Sequence, residues 1–231
     1  MLKVEPASSY PPEEGRYLRG NDYSPVAVAV ILIYDQEKIP PDIENLVRVG
    51  LESGAALTGT IQTENIGIEK LICNVVANPN IRYLVMFGPE SPGHQTGEAL
   101  IKLLENGVDE HRRIIGAQAR TPYLFNLPIE YIARFREQVR IINLVDEGDP
   151  ELLRRAVWSC FQEEPTSFQS YTLSDPGAYP EAPLSGQLTW RVTRPQAEPK
   201  DEAEREQREK LRALMARVKR GAQKKREGER P

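Results

Sequence analysis

The chain has little of what most recognisable chemistries need. Among 231 residues only two are histidine and two are cysteine, too few for a zinc centre of the usual tetrahedral His/Cys kind, and the cysteines form no CxxC pair. Cys73 and Cys160 each fall on the apolar face of an expected helix, as small buried residues. No stretch approaches the roughly 18 consecutive apolar residues that a bilayer span requires. The opening MLKVEPASSYPPEEG lacks the apolar centre of a signal peptide. No membrane span and a cytoplasmic location are therefore expected. Neither GxGxxG nor GxxxxGK[ST] follows any strand, so a nucleotide site lacks its usual support, and no GxSxG elbow accompanies the histidines. A net charge of −4 argues against a nucleic-acid-binding body.

What is present is alternation. Pro25 opens Val26–Tyr34, VAVAVILIY, a continuous apolar run that suits a strand covered on both faces, hence a central one. Pro41 then begins a helix with Ile43, Leu46, Val47, Gly50 and Leu51 at helical spacing, ended by Gly54. Ala55–Thr60 reads as a brief strand feeding the polar segment Gln62-Thr63-Glu64-Asn65. The helix that starts there carries Ile68, Leu71, Ile72, Val75 and Val76 on one face, and Asn78-Pro79 stops it. Ile81–Phe87 is the next buried strand. A loop containing His94 joins it to a helix from about Thr96, with Leu100, Leu103 and Leu104 aligned and Gly107 at its end. Arg113–Ala117, RIIGA, is expected as a further short strand. Asn126 and Pro128 open a helix that leads into a strand over Val139–Val145. Asp149-Pro150-Glu151 combines an N-cap acid, a first-turn proline and a second acid near the positive end of the helix dipole. The alternation predicts right-handed βαβ crossovers, and so an α/β fold: a Rossmann-like three-layer sandwich with a mostly parallel sheet.

Composition sets the expected boundaries. Residues 1–24, rich in Pro, Glu, Gly and Tyr, form an arm over the domain, and residues 25–163 form the domain itself. Residues 164–195 are expected as a hairpin appended to the sheet edge, pairing Ser167–Leu173 with Gln187–Thr193, where Leu188, Trp190 and Val192 alternate. Residues 196–231 read as a charged, partly helical tail with Leu211, Leu214, Met215 and Val218 as its apolar stripe. The basic cluster Arg217, Lys219, Arg220, Lys224, Lys225 and Arg226 follows acidic residues and has no interleaved aromatics, which favours a solvated tail over an RNA-binding one.

Open α/β sheets bind ligands at the carboxyl ends of their strands. The loop GPESPGHQTG occupies such a place, and His94 is its imidazole. An axial metal ligand, an acid/base and a helix cap are all compatible with that position. A phosphate at the helix start near Thr96 is also compatible, since Gly93-His94-Gln95-Thr96-Gly97 is loosely glycine-rich.

Five ordered words narrow the choice. Thr63-Glu64-Asn65-Ile66-Gly67-Ile68-Glu69-Lys70, the run Asn74–Leu84, Gly93-His94-Gln95-Thr96-Gly97, Glu105-Asn106-Gly107-Val108-Asp109 and Arg113-Ile114-Ile115-Gly116-Ala117 together resemble the A subunit of tetrahydromethanopterin S-methyltransferase. The likeness is dense over about residues 60–117 and thinner toward 22 and 146. The resemblance implies a bound cobamide whose cobalt accepts a methyl group from a methylated pterin and passes it on, in the family to coenzyme M. It also implies a partner, a separate pterin methyltransferase subunit. His94 aligns with the family's loop histidine and is the implied axial cobalt ligand. Thr63, Glu64 and Asn65, with Gly93, Thr96 and Gly97, would bond the corrin amides, and Gly116 and Ala117 would let the flat ring approach. His111 is a separate matter: Asp109-Glu110-His111 is similar to the start of the DxHxxG motif of another cobalamin fold, but position 114 is isoleucine, and His111 is expected to be an exposed loop residue. Members of the resembled family usually end in a membrane anchor within a sodium-exporting complex. Here a hairpin and a charged tail stand instead, so a soluble member with no implied sodium transport is expected, its methyl acceptor open. Against the carrier stands a non-catalytic ligand- or nucleotide-binding module on the same fold, docking a partner through its tail.

Overall fold

The computed structural model of the chain describes residues 2–33, 39–188 and 202. Along it run β1 (Tyr17–Arg19), β2 (Val26–Ile31), α1 (Pro41–Glu52), β3 (Leu57–Ile61), α2 (Ile66–Val76), β4 (Tyr83–Gly88), α3 (Thr96–Asn106), α4 (Ile129–Gln138), β5 (Arg140–Val145), α5 (Pro150–Cys160), β6 (Thr166–Phe168) and β7 (Tyr171–Leu173). The main sheet has the order β1-β3-β2-β4-β5. Its last four members are parallel to one another, and only β1 runs antiparallel, against β3. The architecture is α/β with a mixed, mostly parallel sheet. The apolar run after Pro25 is indeed the central strand, buried at all six positions.

Period-two alternation divides β2 between two cores. Val26, Val28 and Val30 point into a cluster with Ile43, Leu46 and Val47 of α1 and Leu153, Ala156 and Val157 of α5. Ala27, Ala29 and Ile31 point into the other, with residues of α2, α3 and α4. Two helix starts show how the sequence sets them. Asp149 caps α5 by accepting the Glu151 N–H at 3.0 Å. Asn65 caps α2 by accepting the Ile66 N–H at 2.7 Å, so that helix begins three residues after Thr63. Cys73 and Cys160 are buried and free, and burial pushes the Cys73 thiol up to about 12, which leaves it inert. No helix among the described residues is long and apolar enough to cross a membrane.

Two expectations are corrected. Arg113–Ala117 is not a strand: Ile114 and Arg113 make single bridges to Val108 and Tyr123, and a turn at Gly116, φ +85°, ends any extension. The hairpin is local: β6 pairs with β7, as a two-stranded sheet separate from the main one, across a two-residue turn with Gln169 at φ 47°. Closing so short a loop is entropically easier than reaching Gln187, and Gln187 and Leu188 are in no strand. Residues 189–195, the rest of that expected strand, and the tail's apolar stripe and basic cluster lie outside the described residues, as does Tyr34 of the expected central run. The amino-terminal arm contributes a strand: Tyr17–Arg19 lies along the edge at β3, and Tyr10 and Glu13 are buried against the domain.

Candidate functional site

Because β3, β2, β4 and β5 are parallel, their carboxyl ends share one edge of the sheet. The β3–α2 loop and the β4–α3 loop meet there. Thr96, the first residue of α3, donates its hydroxyl to the Gln62 carbonyl at 2.9 Å, tying the loops together. His94 Nδ1 lies 2.6 Å from Glu64 Oε2. The histidine side chain is 43% exposed and the glutamate 0%, so the imidazole stands at the surface on a buried support.

Glu64 is fixed from its other side. Its Oε1 accepts the Thr121 N–H at 2.9 Å and the Thr121 hydroxyl at 2.8 Å. Burial alone would raise this carboxyl, but its own backbone N–H, Thr121 and His94 donate hydrogen bonds that outweigh burial and hold it below the usual carboxylate range. Ionised at neutral pH, Glu64 can only accept. Nδ1 must then carry the proton, and in the neutral ring the lone pair sits on Nε2, which no hydrogen bond reaches among the described residues. Asn65 braces the same point by donating to the Thr121 carbonyl and hydroxyl at 3.3 and 3.1 Å.

The remaining sequence candidates take distinct places. Thr63 Oγ1 accepts the Gly67 N–H at 2.9 Å, a capping bond inside the first turn of α2. Gly93 has open space where a Cβ would stand, whereas a Cβ on Gly97 would meet Glu90 Oε2 at 2.7 Å, Val145 at 2.9 Å and Ile31 at 3.0 Å. Gly97 is therefore a close-packing glycine. Gly116 is exposed at its turn, and Ala117 is buried, its carbonyl accepting Arg113 Nη2 at 2.8 Å. His111 is 75% exposed and lies 3.5 Å from its neighbour Glu110, an ordinary surface residue.

Two residues escaped the sequence reading. Glu90 fills the start of α3, accepting the N–H groups of Gly97 at 3.2 Å and Glu98 at 2.8 Å. A carboxylate already satisfies the dipole there, so this helix start is closed to a phosphate. Thr121 is the other. A threonine before Pro122 in an irregular stretch carries no local signal of its bond to a glutamate 57 residues away.

The family model for the A subunit of tetrahydromethanopterin S-methyltransferase matches residues 3–175. The chain belongs to this family. The A 1 form of that methyltransferase component from Methanothermobacter marburgensis is 42% identical over 168 residues, 72% of this chain and 66% of the relative. The A 2 form from Methanothermobacter thermautotrophicus is 38% identical over 186 residues, covering 80% of this chain and 90% of the relative. The corresponding component from Methanosarcina acetivorans is 39% identical over 168 residues, covering 73% and 65%. The chain thus spans about two thirds of the length of some family relatives and nine tenths of another. Within the family's matched span lie all the residues of the His94–Glu64–Thr121 cluster.

Proposed function

We propose that this chain is the corrinoid-carrying component of a methyltransferase: a Rossmann-like three-layer frame whose carboxyl edge holds a cobamide, with His94 as the donor the protein offers to cobalt. The observation that carries this reading is the supported imidazole, with Nδ1 held by a fully buried carboxylate and the ring exposed at the ligand edge. A single histidine is too small a donor set for a bare ion, and no group of three His, Cys, Asp or Glu suited to a metal occurs among the described residues. It would suit a metal already held by a macrocycle, for which one side-chain donor from the protein would suffice. The residues present therefore fit the group.

A bound cobamide supplies a cobalt centre able to take up a methyl group and give it away. The chain's own work is positional. Glu64 fixes the tautomer that leaves Nε2 bare and makes the imidazole a stronger donor, as carboxylates behind metal-binding histidines do. Thr121 and the Glu64 N–H keep that carboxylate ionised while buried. Thr63, Asn65, Gly93, Thr96 and Gly97, with the turn at Gly116 and Ala117, form the rim that meets the corrin amides. The closed start of α3 weighs against the nucleotide-binding alternative. The methyl donor, a methylated tetrahydropterin, binds a partner methyltransferase subunit, and the acceptor is a thiol or another nucleophile. The test is retention: protein loaded with hydroxocobalamin and passed through gel filtration keeps its corrin absorption at the protein peak. A colourless protein peak overturns the carrier reading.

A further inference from the structure

The loop that carries His94 leaves β4 at Gly88 and enters α3 at Thr96. Its tip is at the surface: Pro92 and Gly93 are exposed, and a Cβ on Gly93 would meet nothing. An exposed tip free to move would carry its imidazole out of reach of Glu64, yet Nδ1 lies at 2.6 Å from that carboxylate, a distance that tolerates little displacement. Glu64 fixes how the ring turns, and another group must fix where it stands.

The two feet of the loop are gathered by Glu90. Its Oε1 accepts the N–H groups of Ser91 at 2.8 Å and Gly97 at 3.2 Å, and its Oε2 accepts that of Glu98 at 2.8 Å, so one carboxylate joins the start of the loop to the first turn of α3. The Ser91 carbonyl accepts the Gln95 N–H at 2.7 Å and closes the segment into an arch with His94 near its crown. Ser91 itself is 2% exposed, so the arch stands on a buried foot. The outer foot is tied to the segment between β5 and α5: the Glu90 N–H donates to Asp146 Oδ1 at 2.8 Å, and Gly88 donates to the Glu147 carbonyl at 3.0 Å and accepts the Asp146 N–H at 2.8 Å. Gly97 is the steric condition for this arrangement, because a Cβ there would come within 2.7 Å of Glu90 Oε2.

We infer that Glu90 is a positioning residue for His94: it holds the arch closed, so that the imidazole meets Glu64 and presents Nε2 before any ligand arrives. The inference deepens the carrier reading and rests on it for what Nε2 is presented to. A donor fixed beforehand loses little freedom on binding. Long-range ¹H–¹⁵N correlation of the full chain grown with ¹⁵N-histidine reads the His94 tautomer with no corrinoid present, and His111→Ala assigns the two rings. The unaltered chain should carry the His94 proton on Nδ1. Glu90→Ala, which opens the arch, and Gly97→Ala, which displaces the carboxylate while keeping it, should each lower the ratio of the Nδ1–H to the Nε2–H tautomer at least about fivefold, because the bond that selects Nδ1–H is loosened. Asp146→Gly removes only the outer tie, at an exposed position whose φ of 68° suits glycine, and decides the point if neither of the others folds. Leu153→Ala, a loss from the core on the other side of the sheet, should lower stability and leave the tautomer as it was. An unshifted tautomer in the folded arch variants overturns the inference, and so does an equal shift in Leu153→Ala, which would make Glu90 a contributor to stability alone. In protein loaded with cobalamin and reduced to cobalt(II), the splitting from the His94 nitrogen should weaken in the same arch variants. A tautomer shift without any such splitting in the unaltered chain leaves the arch standing and overturns His94 as the cobalt donor.

Discussion

The two faces of the central sheet are built from one strand and do different things. On the valine face, Val26, Val28 and Val30 meet α1 and α5 together with the fully buried Phe87. On the alanine face, short side chains hold α2 over a cavity, and the amino ends of α2 and α3 carry Glu64, Asn65, Thr96 and His94. Both faces carry a buried apolar core, and only the side chains that β2 itself contributes differ in size between them. The alanine side is finished by a non-repetitive segment: Thr121 reaches across to Glu64, and the Gln118 N–H reaches Glu98 at 3.2 Å.

The contrast breaks first where bulk is removed. Phe87→Ala should lower stability in urea unfolding by about 3–5 kcal/mol, as expected for a large side chain deleted from a full core, while Leu71→Ala, half-buried beside existing space, should cost under about 2 kcal/mol. Equal losses would mean that α2 is packed as tightly as the valine face. Next comes the support under His94. Thr121→Val leaves the buried Glu64 carboxylate without its hydroxyl donor and should cost about 1.5–3 kcal/mol, the range for a hydrogen bond to a charged group; Thr121→Ser should restore most of it. Failure of serine to rescue would show that the threonine methyl matters more than the hydroxyl.

A smaller effect follows from pH. The Glu64 carboxyl titrates below its ordinary range in the folded chain, so the stability it contributes is complete above the unfolded pKa and is lost as pH falls through the lowered folded one. Acid unfolding of Glu64→Gln should therefore lose part of its pH dependence in that window; an unchanged acid limb would refute the assigned direction. Smallest of all, His111→Ala should leave melting within about 0.5 kcal/mol of the parent, as at an exposed site without tertiary partners.

The frame was more legible than the site. The run Val26–Tyr34 announced a strand buried on both faces, which the fold forms over Val26–Ile31, and Asp149-Pro150-Glu151 announced the start of α5, because burial and capping write local patterns. RIIGA misled because two isoleucines resemble strand bulk, yet Ile114 is buried by a single bridge and a turn follows. His94 and Glu64 could be named from their loops, but their contact joins residues 30 apart. Thr121 and Glu90 were invisible for the same reason: each acts through partners chosen by the fold. The cavity lies behind the alternation of valine and alanine, two apolar residues that differ in size but not in periodicity.

The central claim is that His94, held through Nδ1 by Glu64, offers Nε2 to cobalt. Electron paramagnetic resonance of the chain loaded with cobalamin and reduced to cobalt(II) tests it directly, using protein grown with ¹⁵N-histidine. The account predicts that superhyperfine splitting from the axial nitrogen changes on ¹⁵N labelling, is absent in His94→Ala and is unaffected in His111→Ala. A spectrum indifferent to both the label and the loss of His94 would contradict it.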